Sequence, residues 1–221
     1  AGHRRAAARR MEAFARAAES VPAHREAACH AWGDLSLWTL MLGDRAAAAQ
    51  LAQKAISLAT PSTAGNAVVA RFVAMPEASP AEWAARANQQ FHGDGVAPLK
   101  NLALVYALLA NRHFLAAQAL LEPMWQNGAD LIDEGLPVLL AWCYVETAKP
   151  AQAGPLLRPN PIPSQNGPGA FTAFYFPRLF YLRGEIAKQQ GNQSEAAAAV
   201  RTFLELSGPD PLMWGEEKKV R

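Results

Sequence analysis

The sequence predicts an all-α protein. Alanine is abundant while the strand formers Val, Ile and Thr are scarce, and 51% of the 221 residues are apolar, enough for a continuous core. Almost every apolar stretch recurs at three- and four-residue spacing, the period of a helix face rather than of a strand. The clearest unit is FYLRGEIAKQQGNQSEAAAAVRTFLEL, residues 180–206. It reads as a helix, a tight Gly191-Asn192 turn and a second helix, with small residues where the two must approach closely. The rest of the chain reads as degraded copies of it.

Taken in order, the first helix is expected over about residues 3–20, with Ala7, Met11, Phe14 and Ala18 as its apolar face and Pro22 as its stop. A second follows over 24–42, carrying Trp32, Leu35 and Trp38 inward. Gly43-Asp44 supplies a left-handed turn, and a third helix over 46–58 packs back through its alanines until Thr60-Pro61. Residues 64–91 form a less regular pair, broken at Pro76 and restarted by Ser79-Pro80-Ala81-Glu82, a helix-start signal with a capping serine, a first-turn proline and an acid three residues on. His92-Gly93-Asp94-Gly95 closes it. In the next pair Asn111 takes the turn position, and Ala116, Leu120 and Leu121 serve the second helix. A further pair uses Leu136, Leu140, Ala141 and Tyr144, then Ala153, Leu156 and Leu157. Residues 158–176 are expected to be a loop, because RPNPIPSQNGPGAF is too rich in proline and glycine for a helix. Its aromatic end, Phe171, Phe174, Tyr175 and Phe176, is read as packing over the last pair.

The stretch AWGDLSLWTLMLGDRAAAAQLAQKAISLATP resembles a tetratricopeptide repeat, a unit of about 34 residues. Trp32, Leu35, Gly43-Asp44, Ala48, Ala55 and Pro61 stand at the family's positions, while Ser36 and Thr39 depart from it. Asn111 falls about two such periods after Gly43. The resemblance implies a right-handed α-α superhelix of helix pairs over 22–61, 62–95, 96–128, 134–160 and 174–208. An orphan helix over 1–21 precedes them, and a polar cap over 209–221, with Trp214 and the charged run 216–219, closes the array. The last quarter of the chain is also similar to the end of repeat regions that follow serine/threonine kinase or DNA-binding domains in large bacterial signalling proteins. It carries no kinase motif.

Residue chemistry points away from catalysis. His3, His24, His30, His92 and His113 are scattered and form no metal-ligand spacing, and His92 beside Asp94 is read as turn chemistry. Phosphate loops, dinucleotide fingerprints and nucleophile elbows are absent, so no cofactor is expected. Cys29 and Cys143 sit in apolar helical contexts and are read as buried thiols. A net charge of +2, with only Arg4, Arg5, Arg9 and Arg10 clustered, argues against nucleic acid. No apolar run is long enough to insert into a membrane.

The family resemblance also implies which positions of each first helix line the concave face. These are His30, Leu37 and Met41 in the first pair, Arg71 in the second, and Asn101, Val105 and Leu108 in the third. Val138, Trp142 and Glu146 follow in the fourth, and Arg178, Tyr181, Glu185 and Lys188 in the fifth. Gly33 and Leu37 occupy places where clamps for acidic chaperone tails carry Lys, Arg or Asn, so that specialisation is not expected. The expected function is a non-catalytic protein- or peptide-binding scaffold or sensory domain. Its alternative is a regulatory domain holding a small-molecule effector in the groove. The first residue is Ala, and the first helix precedes any partner in the repeat register. A longer parent protein is therefore expected, cytoplasmic unless an upstream membrane span places this part in the periplasm.

Overall fold

Several of the helices in this chain end in the same kind of turn. The computed structural model describes residues 4–59, 65–92, 97–127, 135–157, 169–209 and 212–220. Among them are 11 helices of eight residues or more. They are α1 (Arg4–Glu19), α2 (Arg25–Met41), α3 (Arg45–Leu58), α4 (Gly65–Val73), α5 (Pro80–Gln90), α6 (Lys100–Ala110), α7 (Phe114–Gln126), α8 (Leu136–Glu146), α9 (Pro150–Leu157), α10 (Gly169–Gln189) and α11 (Gln193–Ser207). A single turn, α12 (Glu216–Lys219), closes the chain. The fold is all-α, 82% helical, with no strand among the described residues.

After α2, α6, α8 and α10, one residue adopts a left-handed conformation: Gly43 (φ 94°), Arg112 (φ 60°), Ala148 (φ 57°) and Gly191 (φ 80°). The carbonyls left over at a helix end are then satisfied by the turn itself. Asp44 N–H reaches Thr39 O at 3.2 Å, Lys149 N–H reaches Tyr144 O at 2.7 Å, and Asn192 N–H reaches Ala187 O at 2.9 Å. Asp44 and Asn192 also start the next helix, accepting from the Ala47 and Glu195 N–H groups. Their residue types make both turns readable in advance. The third turn differs from its sequence reading, because the left-handed residue is Arg112 and not Asn111. Asn111 (φ −102°) instead donates from Nδ2 to Ala107 O at 2.7 Å and accepts from Arg45 Nη2 at 3.2 Å, so its amide seals the helix end and the left-handed residue comes one position later.

The described chain divides into two units. In the first, His3–Asn111 with Leu212–Trp214, α2 packs against α1, α3 and α4, α3 also meets α4, and α6 meets α4 and α5. Small residues permit this. Ala48, Ala52 and Ala55 are the buried stripe of α3, and a Cβ on Gly33 would stand 3.3 Å from the Ala67 nitrogen of α4. Phe72 anchors the irregular pair, meeting Trp83 and Phe91 edge-on at 5.1 and 5.2 Å. The start signal at Ser79 is realised as a full capping box with Glu82. In α1 the expected apolar face is rotated: Phe14 is 57% exposed, while Ala15 and Ala18 are buried. Alanine lets the α1 backbone come close to α2, and the bulkier ring is left outside. Trp38, expected inward, is half-buried.

The second unit, Arg112–Pro211 with Gly215–Arg221, follows the same pattern, with α8 packed on α7, α9 and α10, and α10 on α9 and α11. Gly184 sets the closest approach of α10 to α11, since a Cβ there would lie 3.1 Å from Val200 Cγ2. The loop expected to run to residue 176 ends earlier. Helix α10 begins at Gly169, once Pro168 is passed, and holds Pro177 within its length. The expected loop over 158–168, the closing turn over 93–95 and the side chains of Phe171, Phe174 and Tyr175 lie outside the described residues, whereas Phe176 meets Phe180 edge-on at 5.8 Å.

The closing segment is less polar than a solvent cap. Leu212 and Trp214 are buried in the first unit, and Glu216 is buried in the second. LMW is an apolar run, and burying it removes large apolar area from water.

The turns make a direct prediction. Alanine in the left-handed region carries a steric cost of about 1 kcal/mol that glycine avoids. Ala148→Gly is therefore expected to raise, and Gly191→Ala to lower, the unfolding free energy by about that amount in urea titrations. Equal midpoints for both variants and the parent chain would contradict the turn geometry.

Candidate functional site

The positions of α8 and α10 expected to line a groove bring charged and aromatic groups together within the second unit. Val138 and Trp142 are buried on α8, Arg178 and Tyr181 are buried on α10, and Glu146 stands half-buried at the α8 C-terminus. Arg178 Cζ lies 3.8 Å from the Trp142 ring centroid, a cation–π distance, and Phe114 meets the same indole edge-on at 5.3 Å.

The one-turn helix α12 lies against these groups. Arg178 Nε and Nη2 both reach Glu216 Oε1, at 2.8 and 2.7 Å, and both side chains are only 3% exposed. Three residues on, at the rim, Lys219 Nζ donates to Glu146 Oε1 at 2.8 Å and stands 6.0 Å from the Tyr181 ring. Arg112 Nη2 approaches the other Glu146 oxygen at 3.9 Å. A carboxylate at a helix C-terminus is unfavourably placed against the helix dipole, and the two cations offset that. One turn of α12 therefore presents an acid to the arginine of α10 and a base to the acid of α8. Burial pushes the Tyr181 hydroxyl well above the ordinary tyrosine range, and the carboxylates of Glu146, Glu185 and Glu216 add to the shift. Of the remaining predicted residues here, Glu185 is half-buried and Lys188 is exposed.

In the first unit the predicted positions divide by burial. Leu37, Met41, Val105 and Leu108 are buried, whereas His30, Arg71 and Asn101 are exposed. His30 lies 4.0 Å from Glu26 on its own helix. Main-chain groups beside the buried set hold the closing segment: Met41 O accepts from Met213 N–H at 2.8 Å, and Leu109 O accepts from Trp214 Nε1 at 3.0 Å. The contact residues Met213, Trp214, Glu216 and Lys219 were not among the expected site residues. The signal for them was an apolar run, Leu-Met-Trp, inside a segment read as a polar cap.

Elsewhere, a cavity of about 430 Å³ in the first unit has Trp32, Leu35 and Leu51 in its lining, with Arg16 and Lys54 at its edge. Lys54 Nζ stands 4.1 Å from the Trp32 ring and 2.7 Å from Glu19, and Trp32 Nε1 donates to Glu19 at 3.2 Å. The hydrogen bond from Lys54, with its positive charge, the indole N–H and Arg16, holds the Glu19 carboxyl below its usual range against the opposing effect of desolvation. Asp34, on α2, is shifted the other way by burial, although Asn66 donates to it at 2.7 Å. Among the described residues, no group of three His, Cys, Asp or Glu side chains is placed to hold a metal ion, and no helix is long and apolar enough to cross a membrane. Comparison with protein-family models, curated proteins and solved structures found no match for this chain.

Cys143 and Tyr144, beside Trp142 on α8, couple this region to pH. Burial pushes the Cys143 thiol up from its ordinary 9.0 to about 12, and burial with the Glu122 carboxylate, which accepts the Tyr144 hydroxyl, pushes that group from 10.0 to about 12. Both folded values are raised, so their stabilisation is complete below about pH 9 and is lost as pH rises toward 12, where the unfolded chain sheds protons that the native chain retains. Cys143 alone is expected to lower the unfolding free energy by about 2 kcal/mol between pH 8 and pH 10.5. Urea titrations of the parent chain and Cys143→Ala at both pH values test this, and an equal pH slope for the two chains contradicts it.

Proposed function

We propose that this chain is a non-catalytic protein- or peptide-binding scaffold of tetratricopeptide-like helix pairs, the binding or sensory part of a larger bacterial signalling protein. The helix-pair reading is supported by the packing within each unit. In the first, α2 meets its own second helix α3 and the next first helix α4. In the second, α8 meets α9 and α10 in the same way. Right-handed stacking of such pairs places their first helices along an inner surface.

The observation that carries the binding reading is that Met41, Arg178 and Glu146, three of the positions expected to face inward, already hold polypeptide of the chain itself. In the first unit the main chain of Met41 accepts a hydrogen bond from the closing segment, and in the second Arg178 and Glu146 take its acid and its base. A surface of this kind recognises a peptide through main-chain bonds, apolar burial and a few charges. Exposed Arg71 and Asn101 in the first unit, and exposed Lys188 in the second, add polar groups to the expected positions of each unit.

A second reading, a regulatory domain that binds a small-molecule effector, draws on the cavity of about 430 Å³ beside Trp32, whose size suits a small ligand. Its location is the α1, α2 and α3 face and not the predicted groove.

Peptide display on the full chain, followed by affinity measurements on Arg71→Ala, Asn101→Ala and Lys188→Ala, tests the leading reading. These side chains are exposed, so their removal leaves the core intact, and at least one variant is expected to weaken a selected peptide by about tenfold. Binding that persists undiminished in all three rejects the assigned face. Thermal stabilisation by small molecules that Lys54→Met abolishes, with no peptide selected, favours the second reading.

A further inference from the structure

We infer that the α8–α10 face is a receptor for a helical turn carrying an acid and a base three residues apart, and that Glu216 and Lys219 of this chain fill it as a displaceable self-ligand. The inference rests on the peptide-binding reading above and adds to it the chemistry of the ligand and a means of regulation.

Charge complementarity supplies the first argument. Glu216 meets Arg178 and Lys219 meets Glu146, so opposite charges are matched in both places and in a fixed order along one turn. A partner segment with the pattern Glu-x-x-Lys reproduces both pairs; the reversed pattern sets Lys against Arg178 and Glu against Glu146. Like charges placed face to face at an interface are strongly disfavoured, which makes the order a specificity element.

The second argument is the cost of opening. Arg178 is buried and stacked on Trp142, and removing only the Glu216 carboxylate would take away the buried countercharge it meets here. Departure of the whole α12 turn has a different outcome, because it hydrates Glu216 and uncovers the guanidinium at the same time. What is lost is the net worth of the pair, which desolvation keeps small. The turn itself is four residues long and holds few backbone bonds of its own. A partner that presents the same acid and base in a longer, better-formed helix exchanges one matched set for another, so an equal charge count does not protect the self-ligand.

The test uses the full chain and a fluorescein-labelled peptide of residues 212–221, LMWGEEKKVR, with a charge-exchanged control, LMWGKEKEVR. In the chain variant Glu216→Lys with Lys219→Glu, the tail no longer matches α8 and α10. This variant is expected to bind the labelled peptide at least about tenfold more tightly than the parent chain does, and to discriminate against the control peptide by a similar factor. Equal affinities of both chains, or of both peptides, overturn the inference. Should the variant fail to fold, proton exchange of Arg178 Nε–H in the parent chain decides. Exchange through an opening that leaves the α8 and α10 amides protected supports a displaceable turn; exchange only together with those amides makes α12 a permanent part of the fold and overturns it. Failure of the underlying reading gives a different pattern, since then no displayed peptide binds either chain. Displayed peptides that bind both chains equally leave that reading standing and remove only the self-ligand.

Discussion

The backbone hydrogen bonds that close the left-handed turns at Gly43, Ala148 and Gly191 are the constraint from which the pairing of α2 with α3, α8 with α9 and α10 with α11 follows. Asp44, Lys149 and Asn192 each donate back across the turn to a carbonyl of the preceding helix, and Asp44 and Asn192 then cap the following one with their side chains. A single residue ends one helix and begins the next. With so little chain between them, two helices can only lie side by side in opposite directions, and whatever apolar stripe each carries is directed at the other. Glycine occupies two of these left-handed positions, and Ala148 holds the third against its steric preference.

Close pairing in turn demands small side chains at the crossings. Gly33 against α4 and Gly184 against α11 leave no free room for a further carbon, and α3 is buried entirely through alanines. Bulk is concentrated elsewhere: Trp32, Trp83 and Trp142 are among the largest fully buried side chains. Each of them sits beneath a cation, with Arg86 Cζ 5.0 Å from the Trp83 ring centroid. Lys54 stands over Trp32 and Arg178 over Trp142, so the aromatic packing of each unit also organises charge. At Trp142 this combination produces the α8–α10 face.

Much of the architecture was legible in the residues. The Gly43-Asp44 and Gly191-Asn192 turns, the Ser79-Glu82 start and the buried Ala153, Leu156 and Leu157 of α9 all follow from short-range rules, because a cap or a turn is decided by atoms a few residues apart. The misreadings share a different cause. Phe14 is exposed because the approach of α1 to α2 favours alanine over a ring, and Arg112 is left-handed because Asn111 is engaged by Arg45 across the unit. Neither partner is near in sequence.

The amino-acid sequence by itself determined the class of the fold, the helix pairs and most of their boundaries, since periodicity, capping and breakers act locally. It also carried the residues of the α8–α10 face, but as separate positions on separate helices. Only the tertiary structure decided that Glu216 and Lys219 lie against them, that Arg178 is stacked and buried, and that Trp214 is enclosed. Glu216 is 38 residues from Arg178, and Lys219 is 73 residues from Glu146. No local rule pairs charges across such separations. They meet because packing the helices of the second unit carries those positions to one place.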